Sequence, residues 1–121
     1  MIRQSEDARL SPAQDRMHKI RSLNDGFRKG MGSGRVMLTQ GIVALGDAAV
    51  ASVMLAVQEF DGFSTDNDPY GEHDFGSFEH AGERMFWKID YYDSDCLSGS
   101  PDPSDPAVTT RVMTVMLAGE Y

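Results

Sequence analysis

The sequence contains almost no cysteine: Cys96 is the only one among 121 residues. A single cysteine cannot form a disulfide within the chain, and a thiolate metal cluster needs several cysteines. These two means of stabilising a fold or building a site are therefore excluded within one chain. A reducing compartment fits this composition, and we interpret Cys96 as an incidental thiol in an acidic loop.

Long hydrophobic runs are also missing. No stretch approaches the roughly 20 apolar residues that a helix needs to cross a bilayer. The first ten residues, MIRQSEDARL, lack the hydrophobic segment of a secretory signal. We therefore expect no membrane partner, no export and a cytoplasmic location.

Basic residues are few, with 11 Lys and Arg against 19 Asp and Glu, and the net charge is −8. Residues 61–106 hold 12 acidic and 2 basic residues, whereas residues 1–35 hold 8 basic and 4 acidic ones. A negative field disfavours contact with nucleic-acid phosphates and favours basic partners or cations. Solubility alone is the simpler explanation of the same charge.

What is present is enough for one hydrophobic core, because 40% of the residues are hydrophobic. Residues 1–10 are polar and predict a flexible tail, followed by one domain over residues 11–121. The first helix is predicted to begin at Ser11 as N-cap, with Pro12 in the first turn and Gln14 completing a capping box. Its apolar stripe comprises Met17, Ile20, Leu23, Asn24 and Phe27, and Gly26 or Gly30 ends it.

Further elements follow from the same kind of signal. Residues 35–40 predict a strand, and after a turn around Gly41 and Gly46 the side chain of Asp47 is expected to cap a second helix that runs to Phe60. Residues 109–117 are rich in Val and Thr, which favours a last strand, with a helix as the alternative.

A β-hairpin is predicted from residues 75–79 and 84–92, joined by a tight turn that contains Gly82. Its register pairs Glu79 with Arg84 and Gly76 with Trp87, and it places His73 opposite Asp90. Alternation along the second strand gives one apolar face and one mixed face. The expected fold is α+β, with two helices packed on one face of a mostly antiparallel sheet of about four strands.

Titratable side chains gather just before and within this hairpin. The loop before the hairpin holds several carboxylates and one imidazole, which are groups that coordinate cations. Lys88 and Asp90 both lie on the mixed face of the second strand. Neither group matches a recognised metal or nucleophile motif, and solvated acidic turns or a cross-strand polar cluster explain both. We predict no catalytic residue, no metal and no cofactor, and we assign the candidate binding residues as Asp66, Asp68, Glu72, His73, Asp74, Lys88, Asp90 and Asp93.

Four motifs give the chain a resemblance to a family. They are NDPYGEHDFG at 67–76, FWKIDYYD at 86–93, SPDP at 100–103 and TRVMTVML at 110–117. With them the chain resembles an uncharacterised bacterial domain family found mainly in alphaproteobacteria, over nearly the whole sequence from Ile20 to Tyr121. The family's resemblance to products of plasmids and other mobile elements implies an accessory protein that blunts a host defence system.

Three functional hypotheses result. The first is a small acidic interaction protein that binds a basic protein partner, such as a nucleic-acid-binding CRISPR or restriction effector, by presenting carboxylates where phosphates would lie. The second is a metal-assisted hydrolase that uses the acidic loop before the hairpin, from Asp66 to Asp74, together with Asp90, and in which Lys88 stabilises charge. The third is a homodimeric structural module joined through edge strands.

Overall fold

The first helix, α1 (Pro12–Arg28), begins and ends as its sequence signals predict. The computed structural model describes residues 10–121, and residues 1–9, where nearly all of the predicted tail lies, are outside the described residues. The Ser11 side chain accepts a hydrogen bond from the Gln14 backbone, and the Gln14 side chain accepts one from the Ser11 backbone. At the other end the N–H of Met31 donates to the carbonyl of Gly26, which satisfies a terminal carbonyl of the helix.

The segment after α1 departs from the prediction in two places, since its strand ends at Leu38 and not at residue 40, and a short helix follows that strand. Strand β1 (Arg35–Leu38) leads into a short helix, α2 (Gln40–Val43), where a turn was expected around Gly41. The carboxylate of Glu120 accepts hydrogen bonds from the Gly41 N–H and the Thr39 hydroxyl. Glu120 lies about 80 positions away in the sequence, so the local sequence does not predict this helix.

The second long helix, α3 (Asp47–Glu59), lies where the periodicity places it, but its cap differs. Gly46, with φ of 97°, occupies the N-cap position, and no side chain caps this helix end. The expectation that Asp47 is the cap is wrong, because the chain enters the helix through a left-handed conformation that glycine adopts without strain. Asp47 instead begins the helix, where its charge complements the helix dipole.

The remaining strands are β2 (Phe75–His80), β3 (Glu83–Tyr92) and β4 (Thr110–Leu117), and the sheet order is β1-β4-β3-β2. β1 runs parallel to β4, and the other two pairs are antiparallel. The predicted hairpin register is confirmed, with Glu79 opposite Arg84 and Gly76 opposite Trp87. Residues 110–117 form a strand, so the helical alternative for this segment is wrong.

The two faces of this α+β sheet differ. Met85, Trp87, Ile89, Met113 and Val115 point to one face and form a single buried cluster with Phe27 of α1, Ile42 of α2 and Val53 and Val57 of α3. The predicted packing of both long helices on one face is therefore confirmed. We call the opposite face of the sheet the open face; it carries Met37, Phe75, Phe86, Lys88, Asp90, Tyr92, Val112 and Thr114.

Two short 3-10 turns complete the chain, at Pro106–Val108 before β4 and at Ala118–Glu120 after it. Tyr121 follows the second turn, and its ring lies against Phe75 and Phe86 at one end of the open face. In the described part of the chain, no helix is both long and apolar enough to cross a membrane.

Candidate functional site

The acidic loop between α3 and β2 packs against α1, and a fully buried asparagine joins them. The Asn24 amide nitrogen donates to the Glu72 carbonyl at 2.9 Å and to the Tyr91 hydroxyl at 2.8 Å. Its amide oxygen accepts from the Arg111 guanidinium at 2.7 Å, and Tyr91 donates in turn to the Glu72 carboxylate. Burial raises the pKa of the Tyr91 phenol far above its usual value, so it stays protonated and can donate.

His73 belongs to this loop–helix contact and not to the hairpin. β2 begins at Phe75, and His73 has a φ of 57°, which turns its side chain away from the strand register. Its Nδ1 lies 2.9 Å from an Asp25 carboxylate oxygen of α1, and its ring stacks on Phe63 at 3.7 Å. The prediction that His73 lies opposite Asp90 is therefore wrong, because α1 supplies a carboxylate partner that the hairpin pattern does not show.

Asp68 is also turned inward. It is 8% exposed, accepts a hydrogen bond from the His73 backbone at 3.2 Å, and has its second oxygen 3.6 Å from His73 Nε2. The buried Arg28 of α1 donates to the carbonyls of Val57, Gln58 and Phe60 at the end of α3. These bonds satisfy helix-terminal carbonyls, so Arg28 ties the two long helices together.

The other predicted site residues are placed elsewhere. Lys88 and Asp90 form an ion pair at 2.7 Å on the open face, and the hydrogen bond that Lys88 donates to Asp90 raises the pKa of the Lys88 ammonium. Asp93 lies in the loop after β3, where hydrogen bonds from Ser98 and the Leu97 N–H lower the pKa of its carboxyl group. Asp66 is exposed in a turn of the acidic loop.

Asp74 immediately precedes β2 and is half-buried, and its carbonyl accepts from the Ile89 N–H. Burial, followed by the nearby charge of Glu72, raises the pKa of its carboxyl group. Such a group is a poor member of an exposed anionic surface, because its surroundings disfavour its charge.

The predicted carboxylates are thus not displayed as one outward negative surface. Asp68, Glu72 and His73 face α1, Lys88 and Asp90 lie on the open face, and Asp93 folds into its own loop. The spread also removes the convergence that the hydrolase hypothesis requires. Among residues 10–121, no group of three or more histidine, cysteine, aspartate or glutamate side chains is placed to hold a metal ion.

Several residues of the loop–helix contact were missed by the sequence prediction, namely Arg21, Asn24, Asp25, Tyr91 and Arg111. One signal for Asn24 was available, since a polar amide in the apolar stripe of an amphipathic helix needs a buried partner. The identity of that partner was not readable, because Arg111 lies 87 positions away.

The open face holds a shallow groove at the β1 side of the sheet. Its volume is about 620 Å³, and its lining includes Met37, Tyr92, Val112, Thr114 and Glu120. Met37 is 55% exposed, and both Val112 and Thr114 remain partly exposed. At the other end of the same face Phe86 lies 5.4 Å from Phe75 and 5.4 Å from Tyr121, measured between ring centroids.

The fold and these sites define a two-layer α+β domain with one helix-covered face and one open face. Residues 38–120 match the family of proteins of unknown function DUF3768, and the chain belongs to this family. The match excludes α1 and most of β1 and includes the acidic loop, the hairpin and β4. No curated protein and no solved structure matches the chain.

Proposed function

We propose that this protein is a non-catalytic interaction protein whose open face binds a basic protein partner. The observation that carries the proposal is the one-sided packing of the sheet. Helices bury one face, while the other leaves methionine, valine and tyrosine side chains partly exposed in a groove of about 620 Å³. Contiguous apolar surface at a polar rim is typical of protein interaction sites.

Carboxylates beside the groove favour a basic partner. Glu120 borders the groove, and hydrogen bonds from Thr39 and from the Leu117 and Gly41 N–H groups lower the pKa of its carboxyl group. The loop after Tyr92 carries Asp93, and hydrogen bonds from Ser98 and the Leu97 N–H lower the pKa of its carboxyl group. Carboxylates held in this way stay ionised at neutral pH, where they attract lysine and arginine side chains.

The specific partner class that we propose is a nucleic-acid-binding effector complex of a host defence system. Such a complex has a basic groove that carboxylates can occupy in place of phosphates. The net charge of −8 and the resemblance to products of mobile elements support this class. The protein then acts as an inhibitor by occupying the groove.

The experiment is affinity capture from the native host with two matched variants. Met37→Arg changes a side chain that is 55% exposed in the groove, and Leu55→Arg changes one that is 53% exposed on α3. Both add one positive charge. Wild type and Leu55→Arg are expected to retain a basic partner at about 0.1 M salt and to release it at about 1 M, where the Debye length falls from about 10 Å to about 3 Å. Met37→Arg is expected not to retain the basic partner at either salt concentration.

Equal capture by the two variants would remove the open face from the proposal, and capture that ignores salt would remove the basic partner. The inhibitor form is tested separately. Competition by duplex DNA for the captured partner, and protection of a plasmid or phage in cells that carry the defence system, are both expected. A partner that DNA does not displace would leave an interaction protein without the inhibitory role.

A second copy of the chain is the other occupant that this experiment can detect. Light scattering at high concentration measures the mass of wild type and of Met37→Arg. A dimer that Met37→Arg dissociates would assign the groove to self-association, which is the homodimeric alternative, instead of to a basic partner.

A further inference from the structure

A second cavity lies on the helix side of the molecule, away from the open face. It has a volume of about 360 Å³ and lies between α1 and the acidic loop. Its lining includes Arg21, Thr65, Asp68, Tyr70 and His73, and we call it the Arg21 pocket. None of these residues contributes to the groove on the open face.

The pocket is held in shape by main-chain contacts. Arg21 Nε donates to the Gly71 carbonyl at 2.6 Å, and the Gly71 N–H donates to the Asp68 carbonyl at 3.0 Å. Gly71 has a φ of 71°, and a Cβ at this position would lie 2.8 Å from Arg21 Nη2. Only glycine therefore lets the guanidinium approach the loop this closely.

Among the described residues, the other charged side chains around the pocket pair with one another, and none of them pairs with Arg21. Asp25 has Arg28 Nη2 at 3.2 Å and His73 Nδ1 at 2.9 Å. One carboxylate oxygen of Asp68 accepts from the His73 backbone N–H, and the other lies 3.6 Å from His73 Nε2. Within residues 10–121, no carboxylate lies within ion-pair distance of Arg21, and the bond to Gly71 is its one hydrogen bond.

We propose that the Arg21 pocket binds a phosphate monoester. The two Nη nitrogens of Arg21 carry N–H groups in a planar fork, which matches two oxygens of a phosphate. Ser64 and Thr65 also line the pocket, and their hydroxyls can supply further donors. A phosphate offers three terminal oxygens and close to two charges, so it uses this donor set more fully than a carboxylate does. Tyr70, 81% exposed, provides a ring beside the organic group.

The test is an NMR titration of the full chain with three probes: inorganic phosphate, phenyl phosphate and benzoate. The signals followed are the Arg21 Nε–H and the His73 imidazole Cε1–H, with His80 of the hairpin as an internal reference. We expect saturable shifts at Arg21 and His73 with both phosphates, tighter binding of phenyl phosphate, and binding of benzoate at least tenfold weaker. Shifts that do not saturate, or equal affinity for benzoate, would overturn the proposal.

Two variants locate the binding. Arg21→Gln is expected to weaken phenyl phosphate at least tenfold, whereas Arg16→Gln, which removes the same charge from the same helix outside the pocket, is expected to stay within twofold of wild type. If Arg21→Gln does not fold, Arg21→Lys carries the test, because it keeps the charge and loses the fork. Unchanged affinity in the folded Arg21 variant would show that the residue only anchors the loop.

Discussion

The two faces of β3 give neighbouring residues of one strand opposite environments. Met85, Trp87 and Ile89 are at most 3% exposed beneath the helices, whereas Phe86, Lys88 and Asp90 keep part of their surface in solvent. Because side chains alternate between the two faces of a strand, the residues that stabilise the core and the residues available for binding alternate along β3. Substitutions on the covered face are expected to change the free energy of unfolding, and those on the open face to change binding.

The polar groups follow the same division. On the covered side the guanidinium of Arg28 lies 5.1 Å from the centre of the Trp87 ring system and 5.5 Å from that of Phe63, and its Nη1 donates to three carbonyls. On the open face the ion pair of Lys88 with Asp90 has both side chains more than a third exposed. A buried guanidinium needs such partners because desolvation is costly, whereas an exposed pair contributes little to stability.

The largest expected effect comes from Trp87→Ala, set against Phe86→Ala on the neighbouring residue. Removing the fully buried indole is expected to cost about 4 kcal/mol of unfolding free energy through lost burial and a cavity. Removing the Phe86 ring, which contacts Phe75 and Tyr121, is expected to cost about 1 kcal/mol. Urea unfolding followed by far-UV circular dichroism measures both, since Trp87 is the single tryptophan. Equal costs would contradict the division between the faces.

A smaller effect is expected from adding one methyl group at Gly76. A Cβ there would overlap the Trp87 indole, with Cε2 at 2.6 Å, in the middle of the strand pair. We expect Gly76→Ala to cost about 2 kcal/mol by overpacking.

The matched control is Gly26→Ala in α1, where a Cβ would meet no atom within 4 Å. This change is expected to stabilise the protein by up to about 1 kcal/mol, because alanine loses less backbone entropy than glycine in a helix. Urea midpoints followed by Trp87 fluorescence report both variants. Stabilisation by Gly76→Ala would show that the indole can move aside.

The hairpin was predictable because its signals are local. Alternation along residues 85–92, a glycine in the turn and opposite charges at Glu79 and Arg84 together set one register, and a slip of one residue would expose Trp87. The Ser11 cap and the apolar stripe of α1 are local in the same way. These patterns were sufficient for the α+β class and for the helix-covered face.

The loop–helix contact was not predictable, because its partners lie far apart in sequence. Asp25 and His73 are 48 positions apart, and Asn24 and Arg111 are 87 apart. A run of carboxylates by itself predicts a solvated surface. In the structure α1 covers part of the acidic loop, and Asp68 and His73 point inward. The parallel pairing of β1 with β4 was equally hidden, since a four-residue strand carries no mark of its partner.

The smallest effect expected is a dependence of stability on pH, and it has opposite signs at two carboxyl groups. Burial raises the pKa of Asp74 above its ordinary value of 3.8, so the folded state binds more protons than the unfolded state across the window between the two values. Stability from this group is present below pH 3.8 and is lost as pH rises through the folded pKa.

Asp74→Asn is therefore expected to be more stable than wild type at neutral pH, with the difference shrinking as pH falls. Glu120 behaves in the opposite way, because hydrogen bonds lower its pKa from 4.5 and its stabilisation is lost on acidification. Glu120→Gln should then be less stable than wild type at neutral pH, and this difference should also vanish in acid. Urea unfolding of the three proteins from about pH 3 to about pH 8 measures both slopes. A difference for Asp74→Asn that does not change with pH would mean that the Asp74 carboxyl group is solvated in the folded protein, and that the acidic loop lies less tightly against α1 than the contacts of Asn24 and His73 require.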